Sequence, residues 1–297
     1  MPMASMPDEF ARIFRRRIAI SEVWMKNEYL STGFTDVDHA QDKNAYFDCL
    51  TLLDSLPYYR EYKTNSYELL DLRPGMRVLE AGCGLGDDAF RIAERIIPGG
   101  KVIGLDASAA MIEKARRRAL TAQLPVEFLT GDVKDLPFPD HSFARCRIDR
   151  VLQHIREPQE AIADLVRVLE PGGLILAYDN DWGTFSMTSR DVEITKTMEN
   201  LWCDSFTNRT IGSNLHDYFI SAGLSDVKIQ SGTSIITDFA TADKVYNIRE
   251  TVQRAITADI ISASQGRVWI DELIERSEKC IFAARLTAYT AVGKSVR

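Results

Sequence analysis

Three glycines follow an apolar strand in the stretch VLEAGCGLGDDAF, residues 78–90, and a helix-forming run comes directly after them. The same order of strand, turn and helix is repeated from Arg77 to about Trp182. Strands that alternate with helices at this spacing form a parallel sheet with right-handed crossovers and helices on both faces. The sequence therefore predicts an α/β fold with a doubly wound, Rossmann-like sheet.

Hydrophobic periodicity predicts the individual elements of this pattern. The predicted strands are RVLEAG, KVIGLDAS, VEFLTGD, SFARCRI and GGLILAYDND. The predicted helices between them are DDAFRIAERI, AAMIEKARRRAL and EAIADLVRVL. After Trp182 the regular alternation ends. Residues 188–206, 211–222 and 241–278 are predicted as largely helical, with long strands over 226–238 and 280–294.

Composition and charge narrow the class of protein. Of the 297 residues, 45% are hydrophobic and 27% are charged, which is ordinary for a globular protein. The formal net charge is −7, and the arginine runs at 15–17 and 116–118 are short and isolated. A nucleic-acid-binding domain normally carries a basic face. We therefore expect no nucleic-acid partner.

Targeting and cysteine patterns give two further expectations. No apolar run long enough for a signal peptide follows the basic residues near the N-terminus, and no stretch approaches a membrane span of about 20 residues. A cytoplasmic location without a membrane span is therefore predicted. Five cysteines without a CxxC pair argue against a disulfide framework and against a zinc site, so no metal is predicted.

The glycine turn by itself admits two ligands, a dinucleotide or S-adenosylmethionine. In both cases the turn lets the backbone approach the ligand, and an acid about 20 positions further on can bind ribose hydroxyls. Gly86 and Asp106 stand in that relation. We therefore expect a ligand with a ribose outside the carboxyl ends of the strands.

The residues around the turn favour one of these ligands. The dinucleotide fingerprint requires a glycine at position 87, where the sequence has Asp87 followed by Asp88. Two carboxylates there conflict with a pyrophosphate, which docks on free N–H groups at a helix N-terminus. Glu80, just before the turn, suits a ligand with an ammonium group and a sulfonium. A dinucleotide is thereby disfavoured.

Five motifs in order extend this reasoning to a family. They are VLEAGCGLG, GLDAS, GDVKDLPFPDHSF, DRVLQHI and VRVLEPGG. Together they resemble the class I S-adenosylmethionine-dependent methyltransferases, in particular the ubiquinone/menaquinone-biosynthesis (type 11) group and natural-product tailoring methyltransferases. The resemblance is strongest over residues 71–182 and extends weakly to about 294. It implies a sheet in the order 3-2-1-4-5-7-6, with strand 7 antiparallel, and a helical cap.

The domain organisation follows from the extra segments. Residues 1–62 are predicted as an N-terminal helical leader or lid, and residues 63–297 as a methyltransferase domain. Cap insertions are expected at about 183–210 and 240–278, over the carboxyl edge of the sheet. Apolar residues recur near helical spacing in residues 8–30 and need a partner. We expect a homo-oligomer through this N-terminal helix.

The resemblance also implies which residues bind S-adenosylmethionine. The first motif contacts the methionine part, Asp106 the ribose, and Arg150 lies beside the donor's amino-acid end. Ala107 and Met111, after the second predicted strand, flank the adenine, although Met111 could equally be a core residue. Residues 131–133, after the third predicted strand, surround the adenine amino group. The predicted donor-binding residues are Glu80, Gly82, Gly84, Gly86, Asp106, Ala107, Met111, Gly131, Asp132, Val133 and Arg150.

The fourth strand departs from the family pattern. Ala144 occupies a place where members commonly carry an acid, and Arg145 and Arg147 fall in a segment that should be buried. The register of this strand is therefore left open.

Methyl transfer is an in-line displacement that depends largely on positioning, and a weak oxygen acceptor also needs a base. His154 follows the fourth predicted strand, and Asp179 and Asp181 end the fifth, so both segments should reach the mouth of the donor site. The predicted catalytic residues are therefore His154, Asp181 and Asp179. A structural histidine and a capping aspartate remain the alternatives for His154 and Asp181.

Aromatic residues are concentrated in the leader and the first cap segment. Ten of them lie in residues 34–62 and 182–206 with few basic residues, which favours an apolar pocket for a small molecule over a thin packed cap. For any single aromatic residue, core packing is the alternative. The predicted substrate contacts are Phe34, Tyr46, Tyr59, Trp182 and Phe206.

These observations predict methyl transfer to a hydrophobic small molecule, on carbon or oxygen. The expected acceptor is a secondary metabolite such as a prenylated indole, a terpenoid or an aromatic compound. The alternatives are a quinone-biosynthesis C-methyltransferase, and a methyltransferase-fold cyclase or binding protein that transfers no methyl group.

Overall fold

The computed structural model of the chain describes residues 30–296. The helix predicted over residues 8–30, and with it the proposed oligomer contact, lies outside the described residues apart from its last position. Contacts within the chain define two compact units. Of the described residues, the sheet unit contains 34–185, 206–234 and 286–296, and the helical unit contains 30–33, 186–205 and 235–285.

Within residues 30–296, seven strands form one sheet in the order β3-β2-β1-β4-β5-β7-β6. They are β1 Arg77–Ala81, β2 Lys101–Asp106, β3 Val126–Thr130, β4 Phe143–Asp149, β5 Leu169–Met187, β6 Ser225–Ile236 and β7 Ala284–Lys294. Neighbouring strands from β3 to β5 are parallel, whereas β7 is antiparallel. The predicted fold class and strand order are confirmed.

Helices connect and flank these strands. They are α1 Leu30–Gly33, α2 Lys43–Ser55, α3 Pro57–Leu69, α4 Asp87–Ile96, α5 Ala109–Ala122, α6 Pro158–Val168, α7 Val192–Cys203, α8 Ile211–Ser221, α9 Phe239–Tyr246, α10 Ile248–Thr257 and α11 Ala263–Glu278. Two short 3-10 turns lie at Val37–His39 and Leu152–His154. Among the described helices, none combines the length and apolar character needed to cross a bilayer.

The apolar core lies on both faces of the sheet. Because successive side chains of a strand point to opposite faces, Val78 and Leu79 of β1 belong to different clusters. Leu79 packs in the cluster that includes residues of α6 and α8. Val78 packs in the cluster that includes residues of α4 and α5. The carboxyl ends of β1, β2 and β4 are thereby held at one edge of a rigid layer.

The helical unit has a core of its own. Helices α7, α10 and α11 pack against one another, with α9 beside α10 and α11. Trp269 of α11 is 2% exposed, and its Nε1–H donates to Thr195 Oγ1 of α7 at 2.9 Å. The cap insertions predicted at 183–210 and 240–278 overlap the segments of this unit.

The fifth strand ends later than expected. The fifth strand continues to Met187, so Asp179 and Asp181 lie within β5 and do not end it. The antiparallel strand β7 lies beside β5 in the sheet and pairs with it, and beyond Trp182 the Thr287 N–H also donates to the side-chain Oγ1 of Thr184 at 2.9 Å. Gly183 interrupts the apolar alternation there, which hides the extension from a sequence pattern.

The predicted leader boundary at residue 62 falls inside α3. Tyr62 stacks on Tyr178 of β5 with ring centroids 3.7 Å apart, and its hydroxyl donates to the Asp149 carboxylate at 3.1 Å. Helix α3 is therefore continuous across that position and packed on the sheet.

Candidate active site

The glycine turn after β1 depends on glycine for two physical reasons. Gly82, Gly84 and Gly86 have φ values of 71°, 51° and 82°, in the left-handed region that favours glycine. A Cβ on Gly82 would lie 2.1 Å from Val151 Cγ2, and one on Gly86 would lie 2.6 Å from Phe128 Cζ. The turn therefore presents bare backbone at the carboxyl end of β1.

Asp106 ends β2 and faces this turn. Its Oδ2 accepts a hydrogen bond from the Gly84 N–H at 2.8 Å, and its Oδ1 accepts from the Ser108 N–H at 2.9 Å. Burial raises the pKa of Asp106, while these N–H groups act against the rise. Each oxygen keeps a further lone pair, so the half-buried carboxylate can also accept from a ligand hydroxyl.

An aspartate of the leader reaches the same edge of the sheet. Asp38 Oδ1 accepts from Ser108 Oγ at 2.7 Å and from the Ala110 N–H at 2.9 Å, and its Oδ2 accepts from the Ala109 N–H at 2.8 Å. It thus caps the N-terminus of α5. Partial burial would raise the pKa of Asp38, but these hydrogen bonds outweigh it and lower the pKa. The sequence analysis did not single out Asp38.

The residues that the sequence predicts to flank the adenine lie at the carboxyl ends of β2 and β3 and at the start of α5. Met111 is 2% exposed in the first turn of α5, a position compatible with either core packing or adenine contact. The Gly131 N–H donates to the Asp106 carbonyl at 3.0 Å. Ala107 and Asp132 are exposed, whereas Val133 is buried in the core.

Glu80 is buried beneath the turn, with 1% of its surface exposed. Its Oε1 accepts from Arg147 Nη1, whereas its Oε2 has no hydrogen-bond partner among the described residues. Burial raises the pKa of Glu80, and the Arg147 guanidinium acts against that rise. A buried carboxylate oxygen without a partner is costly, so this position fits a cationic ligand group.

Arg147 is the centre of a buried ionic chain. Its Nη2 lies 2.5 Å from Asp149 Oδ2 and its Nη1 lies 3.4 Å from Asp88 Oδ2. Lys63 of α3 connects Asp88, at 2.9 Å, to Asp54 of α2, at 3.2 Å. The chain therefore links α2 and α3 to β1, α4 and β4.

The two arginines of β4 are thus explained by partners from other elements. The strand register pairs Val78 with Arg145 and Glu80 with Arg147, with one irregularity on the β5 side. Arg145 Nε donates to the Leu70 carbonyl at 2.5 Å, which satisfies the C-terminal end of α3. The sequence analysis missed both pairings, although Arg147 and Glu80 occupy neighbouring strands of a foreseeable sheet order.

Arg150 follows β4 with a left-handed φ of 56°. Its Nε donates to Asp149 Oδ1 at 3.1 Å, and its guanidinium carbon lies 5.4 Å from the centroid of the Tyr59 ring. Tyr59 is 3% exposed and packs edge-on against Tyr58 and Tyr62. The structure therefore places this predicted substrate contact beside a predicted donor-binding residue.

The other four predicted substrate residues form a continuous row of rings with His154. The centroid distances along the row are 5.1 Å from Tyr46 to Phe34, 5.8 Å from Phe34 to His154, 5.9 Å from His154 to Phe206 and 3.9 Å from Phe206 to Trp182. We call these five residues the aromatic row. It combines segments separated by more than 100 positions in sequence, 34–46 and 154–206.

Gln153 ties one end of the aromatic row to the sheet. Its Oε1 accepts from Trp182 Nε1 at 2.9 Å and from Asn180 Nδ2 at 3.2 Å, and its Nε2 lies 3.0 Å from His154 Nε2. Burial and the nearby Arg150 lower the pKa of His154 to about 4. His154 is therefore neutral near pH 7. Sequence reasoning also missed Gln153, which precedes the histidine directly.

The two candidate aspartates differ in environment. Asp179 is fully buried, and its oxygens accept from the Asn180 N–H at 3.1 Å and the Gln153 N–H at 3.3 Å. Burial, followed by the charge of Asp149, raises the pKa of Asp179 well above its usual range. Asp181 is 6% exposed, and its Oδ1 accepts from the Gly183 N–H at 2.9 Å.

Comparisons with known proteins agree with this geometry. A family model described as a methyltransferase domain matches residues 78–173. An uncharacterized 37.1 kDa protein in transposon TN4556 of Streptomyces fradiae is 35% identical over 86% of this chain and 72% of its own length. The ubiquinone/menaquinone biosynthesis C-methyltransferase UbiE of Ruegeria sp. (strain TM1040) is 33% identical over 45% of this chain. The chain belongs to the class I S-adenosylmethionine-dependent methyltransferases.

The matches differ in how much of each relative's length they cover. The match spans 54% of the Ruegeria protein, so the chain spans about half the length of this quinone-biosynthesis relative. Among solved structures, the YcgJ protein of Bacillus subtilis superposes with a TM-score of 0.59 at 19% identity, over 80% of this chain and 99% of that one. That likeness concerns the fold.

S-adenosylmethionine is accordingly the methyl donor, and the residues at the turn fit it. The bare backbone of the glycine turn allows close approach, and the Asp106 carboxylate can accept from ribose hydroxyls. The Oε2 of Glu80, which has no partner in the part of the chain that the structure describes, suits the donor's ammonium group. The same turn carries Asp87 and Asp88, which disfavour a pyrophosphate.

Proposed function

We propose that this methyltransferase transfers a methyl group to an uncharged, largely apolar small molecule, on carbon or oxygen. The observation that carries the proposal is the aromatic row, which joins four predicted substrate residues to His154. Small-molecule sites are mostly apolar with a few placed polar groups, and the row with Gln153 and His154 has this composition. A secondary metabolite with an aromatic or prenyl body suits such a surface.

On the donor side, we propose the roles that the motifs imply. Glu80 and Arg150 serve the amino-acid end, and Asp106 serves the ribose. The glycines at 82, 84 and 86 let the protein backbone come into contact with the donor. Residues 107, 111 and 131–133 surround the adenine. The donor supplies a methyl group already activated on a sulfonium. The protein's own contribution is therefore largely to hold both reactants in line.

The three candidate bases are unequal in this proposal. Asp179 is fully buried and its raised pKa favours the neutral acid, so it suits a structural role. His154 is neutral near pH 7, and its Nε2 is already in contact with Gln153 Nε2 at 3.0 Å. Asp181 lies between Asn180 and Trp182 in β5, so its side chain points to the opposite face of the strand from the aromatic row, and its Oδ1 already accepts from the Gly183 N–H. An acceptor that reacts at an electron-rich carbon needs base assistance less.

The relatives favour one alternative acceptor. Several proteins similar to this chain are named for quinone biosynthesis, which supports a prenylated aromatic ring methylated on carbon as the second candidate. Both candidates share an apolar ring system. The extra helical segments around 186–205 and 235–285 favour a specialised metabolite over a quinone precursor.

A panel assay tests the proposal. The full-length protein is incubated with isotope-labelled S-adenosylmethionine and separate sets of prenylated indoles, terpenoids, phenols, demethylmenaquinone analogues, glycine-like amines and RNA. We expect turnover on the apolar sets, with Phe206→Leu reducing it at least tenfold. Phe138→Leu, a partly buried phenylalanine packed on the sheet core, is the matched control. Preferred methylation of the amines or RNA would overturn the proposal.

Oligomeric state, location and nucleic-acid binding stay predictions. We propose a cytoplasmic homo-oligomer through residues 8–30 that binds no nucleic acid. Light scattering of the full chain and of a variant lacking residues 1–29 tests the assembly. A monomer in both cases would contradict it.

A further inference from the structure

The side-chain amide of Gln153 has a fixed orientation. Trp182 Nε1–H is a donor only and lies 2.9 Å from Gln153 Oε1. On the other side of the amide, Nε2 donates to the Arg150 carbonyl at 3.2 Å. Turning the amide over would set N–H against N–H at Trp182 and oxygen against oxygen at Arg150. Two independent contacts therefore determine which atom is the nitrogen.

This orientation determines the proton position on His154. Gln153 Nε2 can only donate, and it lies 3.0 Å from His154 Nε2. His154 Nε2 must therefore accept. A neutral imidazole has one N–H and one bare nitrogen, so the proton of His154 lies on Nδ1. The lowered pKa of His154 agrees with a neutral ring.

The Nδ1–H group then has no hydrogen-bond partner among the described residues, while the ring stands between Phe34 and Phe206. The ring is half-buried, so water can reach it in the free protein, and a bound molecule that covers the ring has to satisfy this donor in place of water. The only other ring nitrogen is already used by Gln153. The ring is therefore arranged to donate and not to take up a proton.

We propose that His154 donates a hydrogen bond from Nδ1–H to the methyl acceptor, with Gln153 as the residue that fixes this tautomer. The acceptor then carries a hydrogen-bond-accepting oxygen, such as a carbonyl or a phenolic or enolic oxygen, on its apolar body. This inference rests on the proposed function and narrows its substrate class. A purely hydrocarbon acceptor leaves the Nδ1–H unpaired and is selected against.

The tautomer can be measured without any acceptor. The full-length protein is labelled with 15N-histidine and saturated with S-adenosylhomocysteine, and the resonances of His154 are assigned from the His154→Phe spectrum. We expect a protonated Nδ1 and a bare Nε2. Gln153→Glu replaces the donating nitrogen with an accepting oxygen and should move the proton to Nε2. A wild-type ring protonated on Nε2 would overturn the inference.

Acceptor preference is measured with a pair of probes, 1-tetralone and tetralin, which differ by one carbonyl oxygen. Binding to the S-adenosylhomocysteine complex is followed by calorimetry. We expect the tetralone to tetralin affinity ratio to fall about fivefold to tenfold in His154→Phe, which keeps an aromatic ring without the N–H. His216→Phe, at an exposed position, should keep the wild-type ratio.

The outcomes separate the two proposals. An unchanged ratio in His154→Phe, or failure of both probes to bind, would overturn the inference while donor binding stays intact. Failure of the wild-type protein to bind S-adenosylhomocysteine would instead remove the proposed function.

Discussion

Glu80 and Arg147 lie directly opposite each other on the neighbouring parallel strands β1 and β4, and the Arg147 side chain has no exposed surface. Arg147 holds one carboxylate oxygen of Glu80, and the other oxygen, at the glycine turn, has no hydrogen-bond partner within residues 30–296. Buried ion pairs are expensive to desolvate, so stability alone is a weak reason to keep one. We propose that the pair orients Glu80 toward the donor's ammonium group.

Arg147→Met tests this role. Removing one member of a buried pair leaves uncompensated charge and should lower the free energy of unfolding by about 3–5 kcal/mol. Affinity for S-adenosylhomocysteine should fall more than tenfold, because Glu80 loses its fixed orientation. Affinity for 5′-methylthioadenosine, which lacks the amino-acid end, should change about twofold or less. Calorimetry with both ligands makes the comparison, and an equal loss for both would mean general damage to the site. Arg147→Lys, which keeps the charge, should recover part of the difference.

Glycine at position 82 is a second point of sensitivity. Gly82 and Gly75 both have left-handed φ values, 71° and 86°, so alanine strains the backbone at either. Only at Gly82 does the new Cβ collide, 2.1 Å from Val151 Cγ2, whereas nothing lies within 4 Å of it at Gly75. Gly82→Ala should abolish measurable donor binding, and Gly75→Ala should cost about 1 kcal/mol of stability and leave binding unchanged. Thermal unfolding measures the stability of the two variants, and titration measures their donor affinity. Equal donor affinity in both would refute the steric argument.

The sheet and its cofactor turn could be predicted because their signals are local. The helix Asp87–Ile96 was bounded correctly, since its apolar positions repeat at helical spacing directly after a glycine turn. The end of β5 was not, because its last residues are held by β7, which lies about 100 positions further along the chain. The hydrophobic pattern within one strand carries no information about a pairing strand so far along the chain.

The site residues differ in the same way between those fixed by local sequence and those fixed by contacts between separate elements. Asp106 was found because its distance from the glycine turn is fixed by one strand–helix–strand unit. Arg147, Asp38 and Gln153 were missed, since each acquires its partner only when separate elements come together in space. A sheet order with paired register would have indicated the Glu80–Arg147 contact. The Gln153 network depends on side-chain geometry that no sequence pattern records.

Asp106 offers a direct test of donor binding. Asp106→Ala should weaken S-adenosylhomocysteine binding at least tenfold, about 1.4 kcal/mol or more, because the ribose loses its acceptor and the Gly84 N–H loses its partner. Asp106→Asn keeps an oxygen at the same place, so its affinity should lie between those of the wild type and Asp106→Ala. Glu127→Ala removes an exposed carboxylate on β3 and serves as the control. Unchanged calorimetric affinity in Asp106→Ala would remove the ribose assignment.

The low pKa of His154 predicts how stability depends on pH. Burial and Arg150 lower this pKa from 6.5 to about 4, so between those values the unfolded chain binds a proton that the folded protein does not. Stability therefore falls as pH drops through this window. From pH 7.5 to pH 5 the neutral ring should cost about 2 kcal/mol of unfolding free energy relative to a side chain that does not titrate. His154→Phe and His154→Gln differ in shape but both remove the titration, so both should lose less stability than wild type over this range. Denaturant unfolding at the two pH values measures the difference, and parallel losses in all three proteins would mean that His154 takes up its proton in the folded state.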